Sequence, residues 1–324
     1  MQSSPRPAVL TVAAALALGC ATSPSTAEPA ASAATSRIEV VPFASPEEAL
    51  AAGLNGDHRK KGNAARNAHR HPAETLAFFG LQPSMTVVEL WPGGGWYSEV
   101  LGPVLRDQGT LVLANFDPGG KNGRGARNLL ARAQKRPDMF GTPLTAVLDP
   151  PSHTRLGEPG SADMVVTFRS SHNWTSRGVL EPVFAGAFEV LKPGGVFGVV
   201  QHRAPEGADP KVSAKSGYVP EAHIVATAEK VGFELDARSE INANPKDTKD
   251  HPKGVWTLPP TLNMGDEQRD HWLSIGESDR MTLRFVKPGG AAPSAPDPAS
   301  AQPAAEPAPP AAQEPTAAGA PQAP

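Results

Sequence analysis

The segment 87–101, VVELWPGGGWYSEVL, constrains the chain more than any other stretch. Val87, Val88 and Leu90 suit a strand buried on both faces, with Glu89 near its end. Gly93, Gly94 and Gly95 then permit a sharp turn in which the backbone approaches a ligand with no Cβ between them. A helix starting near Tyr97 would aim its free amides at the same point. Strand, glycine turn and helix in that order belong to an open α/β sheet, whose ligands bind beyond the carboxyl ends of the strands. The same loop alone also serves as a plain tight turn.

The rest of the chain supplies strands for such a sheet. Residues 110–114 (TLVLA) read as a second strand after a crossover helix over 97–105, residues 144–148 as a third and 162–168 (ADMVVTF) as a fourth. Residues 190–200, VLKPGGVFGVV, predict a helix end, a Lys-Pro-Gly-Gly turn and a fifth strand. An amphipathic helix over 220–231 leads to a sixth strand over 233–239, and 281–286 form the last. The intervening stretch 241–266 is polar and proline-broken. Either it is a lid or substrate mouth carrying His251, Trp256 and Thr257, or Trp256 simply packs the loop onto the domain.

The pairing of VVELWPGGGWY with VLKPGGVFGVV resembles the class I S-adenosylmethionine-dependent methyltransferases. Within that superfamily the chain is similar to a group of predicted bacterial methyltransferases of poorly defined substrate. RHPAETLAFFGL (70–81), ELWPGGGWY (89–97), HNW (172–174), QHRA (201–204), HPKGVWTLPP (251–260) and GESDRMTLRFVKP (276–288) carry that similarity. The resemblance implies a Rossmann-like α/β fold: a seven-stranded, mostly parallel sheet with helices on both faces and the last strand antiparallel to strand six. It also implies S-adenosylmethionine as cofactor, held by Glu89, Gly93, Gly94 and Gly95. At the end of strand two, Asp117 is the candidate for the ribose hydroxyls, with Asn115 as substitute; alternatively Asp117, Pro118 and Gly119 only make a turn. Asp149, after strand three, falls where related proteins contact adenine. One departure stands out: Trp91 and Pro92 occupy the place where the superfamily turn begins with glycine. An indole there would narrow the pocket or block the methionine end of the cofactor, and in a fold that binds no cofactor it would fill a vacated pocket.

Strand four runs directly into RSSHNW, so Arg169, Ser171, His172, Asn173 and Trp174 fall where substrate and methyl donor would meet. Methyl transfer requires alignment of the nucleophile and removal of its proton, and a histidine suits the second task. His172 and His202 are the candidate bases. Arg203 is placed to hold an acidic substrate group, and Asn173 to orient the base or touch the cofactor. The alternatives are a helix cap for His172 and a core role for Trp174. No His-x-x-x-His or carboxylate pair at helical spacing supports a metal site.

Both ends read as non-globular. Residues 8–18 form an apolar run of signal-peptide length that ends in LALGC, and Cys20 is the single cysteine of the 324 residues. A lipoprotein signal (1–20) with lipidation at Cys20 is expected; cleavage after Ala27 would instead release a soluble periplasmic protein. Residues 21–44 read as a tether, 45–288 as the domain, and 289–324, rich in alanine and proline, as a disordered tail. A net charge of −3, with no basic run interleaved with aromatics, argues against nucleic acid as a partner. The local basic excess, HRKKGNAARNAHR (58–70), is either a solvated helix face or a feature near the pocket mouth that attracts an anion. These observations point to an exported, lipid-anchored methyltransferase acting on a small molecule or an envelope component. Because S-adenosylmethionine is made in the cytoplasm, two alternatives follow: a non-catalytic envelope lipoprotein binding another ligand or partner, and a cytoplasmic enzyme with no working signal.

Overall fold

The computed structural model describes residues 40–290. The signal segment, Cys20, nearly all of the tether and the tail beyond residue 290 lie outside the described residues. The strands are β1 (Thr86–Leu90), β2 (Thr110–Asn115), β3 (Leu144–Val147), β4 (Ala162–Phe168), β5 (Leu191–His202), β6 (Glu234–Ser239) and β7 (Arg280–Val286). They form one seven-stranded sheet of order β3-β2-β1-β4-β5-β7-β6. β1 to β5 are mutually parallel, and β7 runs antiparallel to both β5 and β6.

Among the described residues eleven α-helices surround the sheet: α1 (Pro46–Asn55), α2 (Asn67–Arg70), α3 (Pro72–Phe79), α4 (Ser98–Leu105), α5 (Arg124–Gln134), α6 (Pro137–Phe140), α7 (Ser171–Arg177), α8 (Leu180–Val190), α9 (Pro210–Ser213), α10 (Glu221–Lys230) and α11 (Arg269–Ile275). Because alternate residues of a strand face opposite sides, β1 feeds two cores. Val88 and Leu90 pack with Val183 and Phe184 of α8, and Val87 packs with Val100, Leu101 and Leu105 of α4. Helices therefore cover both faces, as a buried parallel sheet requires. Among the described residues no helix is long and apolar enough to cross a membrane.

The fifth strand departs from expectation. α8 runs straight into β5, and the Lys-Pro-Gly-Gly turn lies within the strand as an excursion from the ladder. Ala162 pairs with Leu191, and the next pair is Met164 with Val196. The end of β7 holds the excursion: Gly194 donates to the Lys287 carbonyl at 2.8 Å and Lys287 donates to that of Gly195 at 2.9 Å.

The stretch 241–266 is irregular apart from one short 3-10 turn (Gly254–Thr257). It is fastened to the domain through Asp247. That buried carboxylate accepts from the Tyr218 hydroxyl at 3.0 Å and the Asp279 amide at 2.8 Å, and pairs with His251 Nε2 at 2.8 Å. His251 and Thr257 are buried with it.

Candidate ligand cleft at the ends of β1 and β4

Between β1 and β4 the strand order reverses, and a cleft of about 290 Å³ opens beyond their carboxyl ends. Trp91, Pro92, Gly93 and Gly94 form its floor, and Phe168, Arg169 and Ser170 one wall. The other wall is Lys60, Asn63, Arg66, Arg70 and Trp96. The basic run 58–70 thus borders the cleft. His58, Arg59 and Arg70 are buried, whereas Lys60, Lys61 and His69 are exposed, so the run is a solvated face only in part.

The glycine loop holds this floor in shape. Gly93 has φ +58° and Gly95 φ +78°, left-handed values that glycine adopts at little cost. A Cβ on Gly95 would lie 2.4 Å from Leu129 Cδ1, so its absence also lets α5 pack against the loop. Gly95 donates to the Pro92 carbonyl at 2.8 Å, whereas the amides of Gly93 and Gly94 have no acceptor among the described residues. Glu89 supports the loop from beneath: its carboxylate accepts from Ser98 Oγ of α4 at 2.5 Å. Burial pushes its pKa up from 4.5 to about 7, against the lowering effect of that bond.

Trp91 is also left-handed, at φ +44°, a conformation costing a side-chain-bearing residue about 1–2 kcal/mol. Its indole nitrogen donates to the Leu148 carbonyl at 2.9 Å. The ring packs on Phe116 (4.8 Å between centroids) and Trp174 (5.2 Å), with the Arg177 guanidinium 5.5 Å above it. The indole therefore turns toward the ends of β2 and β3.

Asp117 follows β2 and Asp149 follows β3. Asp117 is exposed and its Oδ1 accepts from the Gly119 amide at 2.9 Å, so it makes the turn. Asn115 ends β2, and its Oδ1 accepts from the Phe116 amide at 2.9 Å. Asp149 is half-buried beyond β3, and its backbone pairs with that of His153.

The basic walls share two carboxylates. Glu277 accepts from Arg66 Nε at 2.6 Å, Arg70 Nε at 3.1 Å and Arg280. Glu99 pairs with Arg59 at 3.4 Å and Arg132 at 3.1 Å, and accepts from Asn63 at 2.8 Å. The Trp96 ring carries the guanidinium groups of Arg59 (4.7 Å) and Arg70 (4.6 Å). Lys60 Nζ donates to the Gly94 carbonyl at 3.1 Å. Arg169 differs from all of these: its guanidinium makes no hydrogen bond or ion pair with any described residue. Burial, then repulsion from Arg280, lowers its pKa to about 10, with Glu277 opposing. Its backbone is left-handed at φ +62°, and its amide donates to Val200 at 2.7 Å. A strained residue with an unpaired charge at a strand end is the pattern of a ligand contact.

His172 and His202 come together, 5.9 Å between ring centroids, beside Trp256 at 5.8 Å from His172. His202 Nδ1 lies 2.5 Å from Ser278 Oγ. Burial lowers His172 to about 4 and His202 well below its ordinary range, so both rings are neutral at pH 7. They lie behind Arg169, outside the ring of residues that lines the cleft. Asn173 is part-buried on α7, its carbonyl accepting from Ser176 Oγ. Arg203 is not brought to the cleft: Asp279 (3.1 Å), Glu240 and Glu221 (3.5 Å) engage it, and it borders a separate groove with Glu229 and Arg238. Sequence reasoning gave no role to Trp96, Glu99, Glu277 or Arg280. Only the motif segments containing them marked their neighbourhoods. Among the described residues no group of three or more His, Cys, Asp or Glu could hold a metal ion.

The sheet order, with β7 antiparallel between β5 and β6, is the class I methyltransferase arrangement. No family model matches the chain, and no curated protein matches it. Solved structures similar to it include a SAM-dependent methyltransferase from Aquifex aeolicus (16% identity over 55% of this chain and 87% of that one, TM-score 0.42). Another is the fibrillarin of Aeropyrum pernix with natively bound S-adenosyl-L-methionine (15%, 68% and 76%, TM-score 0.41). A third is a possible exported protein from Bordetella parapertussis (14%, 69% and 68%, TM-score 0.41). In the cleft itself, the free amides of Gly93 and Gly94, with Lys60, fit the carboxylate end of S-adenosylmethionine.

Proposed function

We propose that the chain is an S-adenosylmethionine-dependent methyltransferase acting on a small molecule or an envelope component. The observation that carries this reading is the glycine loop at the reversal point of the sheet, with two free amides beside Lys60 and Arg169. Bound there, the cofactor supplies an electrophilic methyl group on a sulfonium. Gly93, Gly94 and Lys60 hold its carboxylate, and the cleft aligns the acceptor, a positioning effect worth on the order of 7–11 kcal/mol in favourable cases. His172 and His202, neutral at pH 7 and adjacent, are the candidate bases with Asn173 beside them, although burial makes them weak ones and neither lines the cleft. Export and lipid attachment at Cys20 belong to the same proposal and place the domain on the periplasmic side of the envelope.

Two observations favour a second reading, in which the fold binds another ligand without transfer: the Trp91 indole stands on the purine side, and Asn115 ends β2 where a ribose-binding acid is expected. Calorimetry with S-adenosylmethionine separates the two. The methyltransferase reading expects micromolar binding that is lost in Gly93→Val, with the fold of the variant checked by circular dichroism. Absence of heat at millimolar ligand selects the second reading.

A further inference from the structure

We propose that the walls of the cleft form an oxyanion site, and that the acceptor molecule carries a dianionic group of the phosphate type held by Arg169 together with Arg66 and Arg70. The inference deepens the methyltransferase reading and rests on it for the role of the bound molecule, although not for its binding. The charge balance is the first argument. Arg59, Lys60, Arg66, Arg70, Arg132, Arg169 and Arg280 converge on the cleft and its backing. The carboxylates of Glu99 and Glu277 pair five of these cations, namely Arg59, Arg132, Arg66, Arg70 and Arg280, and Glu89 beneath the loop, ionised at pH 8, brings the carboxylates to three against seven cations.

The carboxylate of S-adenosylmethionine would offset one charge, and the cofactor adds two positive charges of its own, on its ammonium and sulfonium. The remaining excess calls for a second, more highly charged anion. The second argument is the donor set. A guanidinium presents paired N–H groups in a fork that matches the edge of a tetrahedral oxyanion. Arg66 and Arg70 each use Nε on Glu277, and Arg169 uses no donor of its side chain on any described residue. The third is the backbone. Arg169 holds a left-handed conformation at the end of β4 with its charge unpaired, an arrangement that gains nothing in the free protein.

The test is calorimetry on the full chain at pH 8 with inorganic phosphate, acetate and S-adenosylmethionine as separate probes. Wild type and the control Arg238→Gln, whose arginine is exposed and bonded to Glu221, are expected to bind phosphate, and acetate less tightly. Arg169→Gln should bind phosphate at least tenfold more weakly, and Arg169→Lys should fall between. The free Arg169→Gln protein should melt no lower than wild type, because the substitution removes a part-buried cation that no described residue pairs; a purely structural arginine would lower the melting temperature. Equal phosphate binding by wild type and Arg169→Gln, or acetate binding as tight as phosphate, overturns the proposal. If Arg169→Gln does not fold, Arg66→Gln reads the same site with the same expected loss. Phosphate binding without S-adenosylmethionine binding leaves the oxyanion site standing and removes the transfer reading. The reverse result removes the oxyanion site alone.

Discussion

At φ +44° and bonded through its indole nitrogen to Leu148, Trp91 occupies the side on which the proposed methyltransferase reading puts the cofactor's purine. Trp91→Gly removes both the left-handed strain and the obstruction. S-adenosylmethionine should then bind at least tenfold more tightly by calorimetry, while urea denaturation of the free variant shows a loss of about 2 kcal/mol from the missing indole packing. Unchanged or weaker affinity would mean that the indole is not in the cofactor's way. Glu89, beneath the same loop, makes stability depend on pH. Its folded pKa is raised from 4.5 to about 7, so between these values the folded chain holds a proton that the unfolded chain has released. Stability therefore falls as pH rises through that window, by up to about 3 kcal/mol for this one group. Glu89→Gln should be more stable than wild type at pH 8 and show a shrinking advantage as pH falls to 4.5. His172 and His202 have the opposite sign, losing stability as pH falls below 6.5, but they are common to both proteins and cancel in the difference.

The loop between β1 and α4 works as an element because its glycines do different jobs. Gly95 faces Leu129 of α5, where a Cβ would sit 2.4 Å away, whereas a Cβ on Gly94 would meet only Lys60 Nζ at 3.4 Å. Gly95→Val should cost about 3 kcal/mol or more through overpacking and left-handed strain. Gly94→Ala should stay within about 0.5 kcal/mol of wild type, as a surface substitution does. Chemical denaturation of the two variants checks the contrast, and similar losses would show that the close approach of α5 is not what the loop requires. The same element-level reasoning explains the excursion in β5: Gly194 and Gly195 bond Lys287 at the end of β7, a strand far away in the chain that lies alongside only after folding.

Across the whole molecule, the sheet order assembles the cleft from distant segments. β1 brings the glycine loop, β4 brings Arg169, and the turn before β7 brings Glu277 against Arg66 and Arg70 of the N-terminal helices. The strand calendar was readable in the sequence because central parallel strands are continuous apolar runs: β4 matched its expected bounds, and β1, β2, β3, β6 and β7 lie within one or two residues of theirs. Arg203 and Asp117 show where that reading stops. Both sit beside strand ends, yet Arg203 is taken by Glu221, Glu240 and Asp279, and Asp117 by the amide of its own turn.

By itself the sequence determined what depends on short-range patterning: the α/β class, the strands, the left-handed glycine turn, and the nearness of His172 and His202 at neighbouring strand ends. The tertiary structure decided what depends on partners. Burial made the two imidazoles neutral, and Glu99 and Glu277 absorbed most of the basic wall. Packing drew the Trp91 indole toward the ends of β2 and β3. Arg169 was left with its charge facing the cleft. The physical reason is range: apolar periodicity is a property of adjacent residues, whereas desolvation and charge pairing are set by groups that meet only when the sheet has closed.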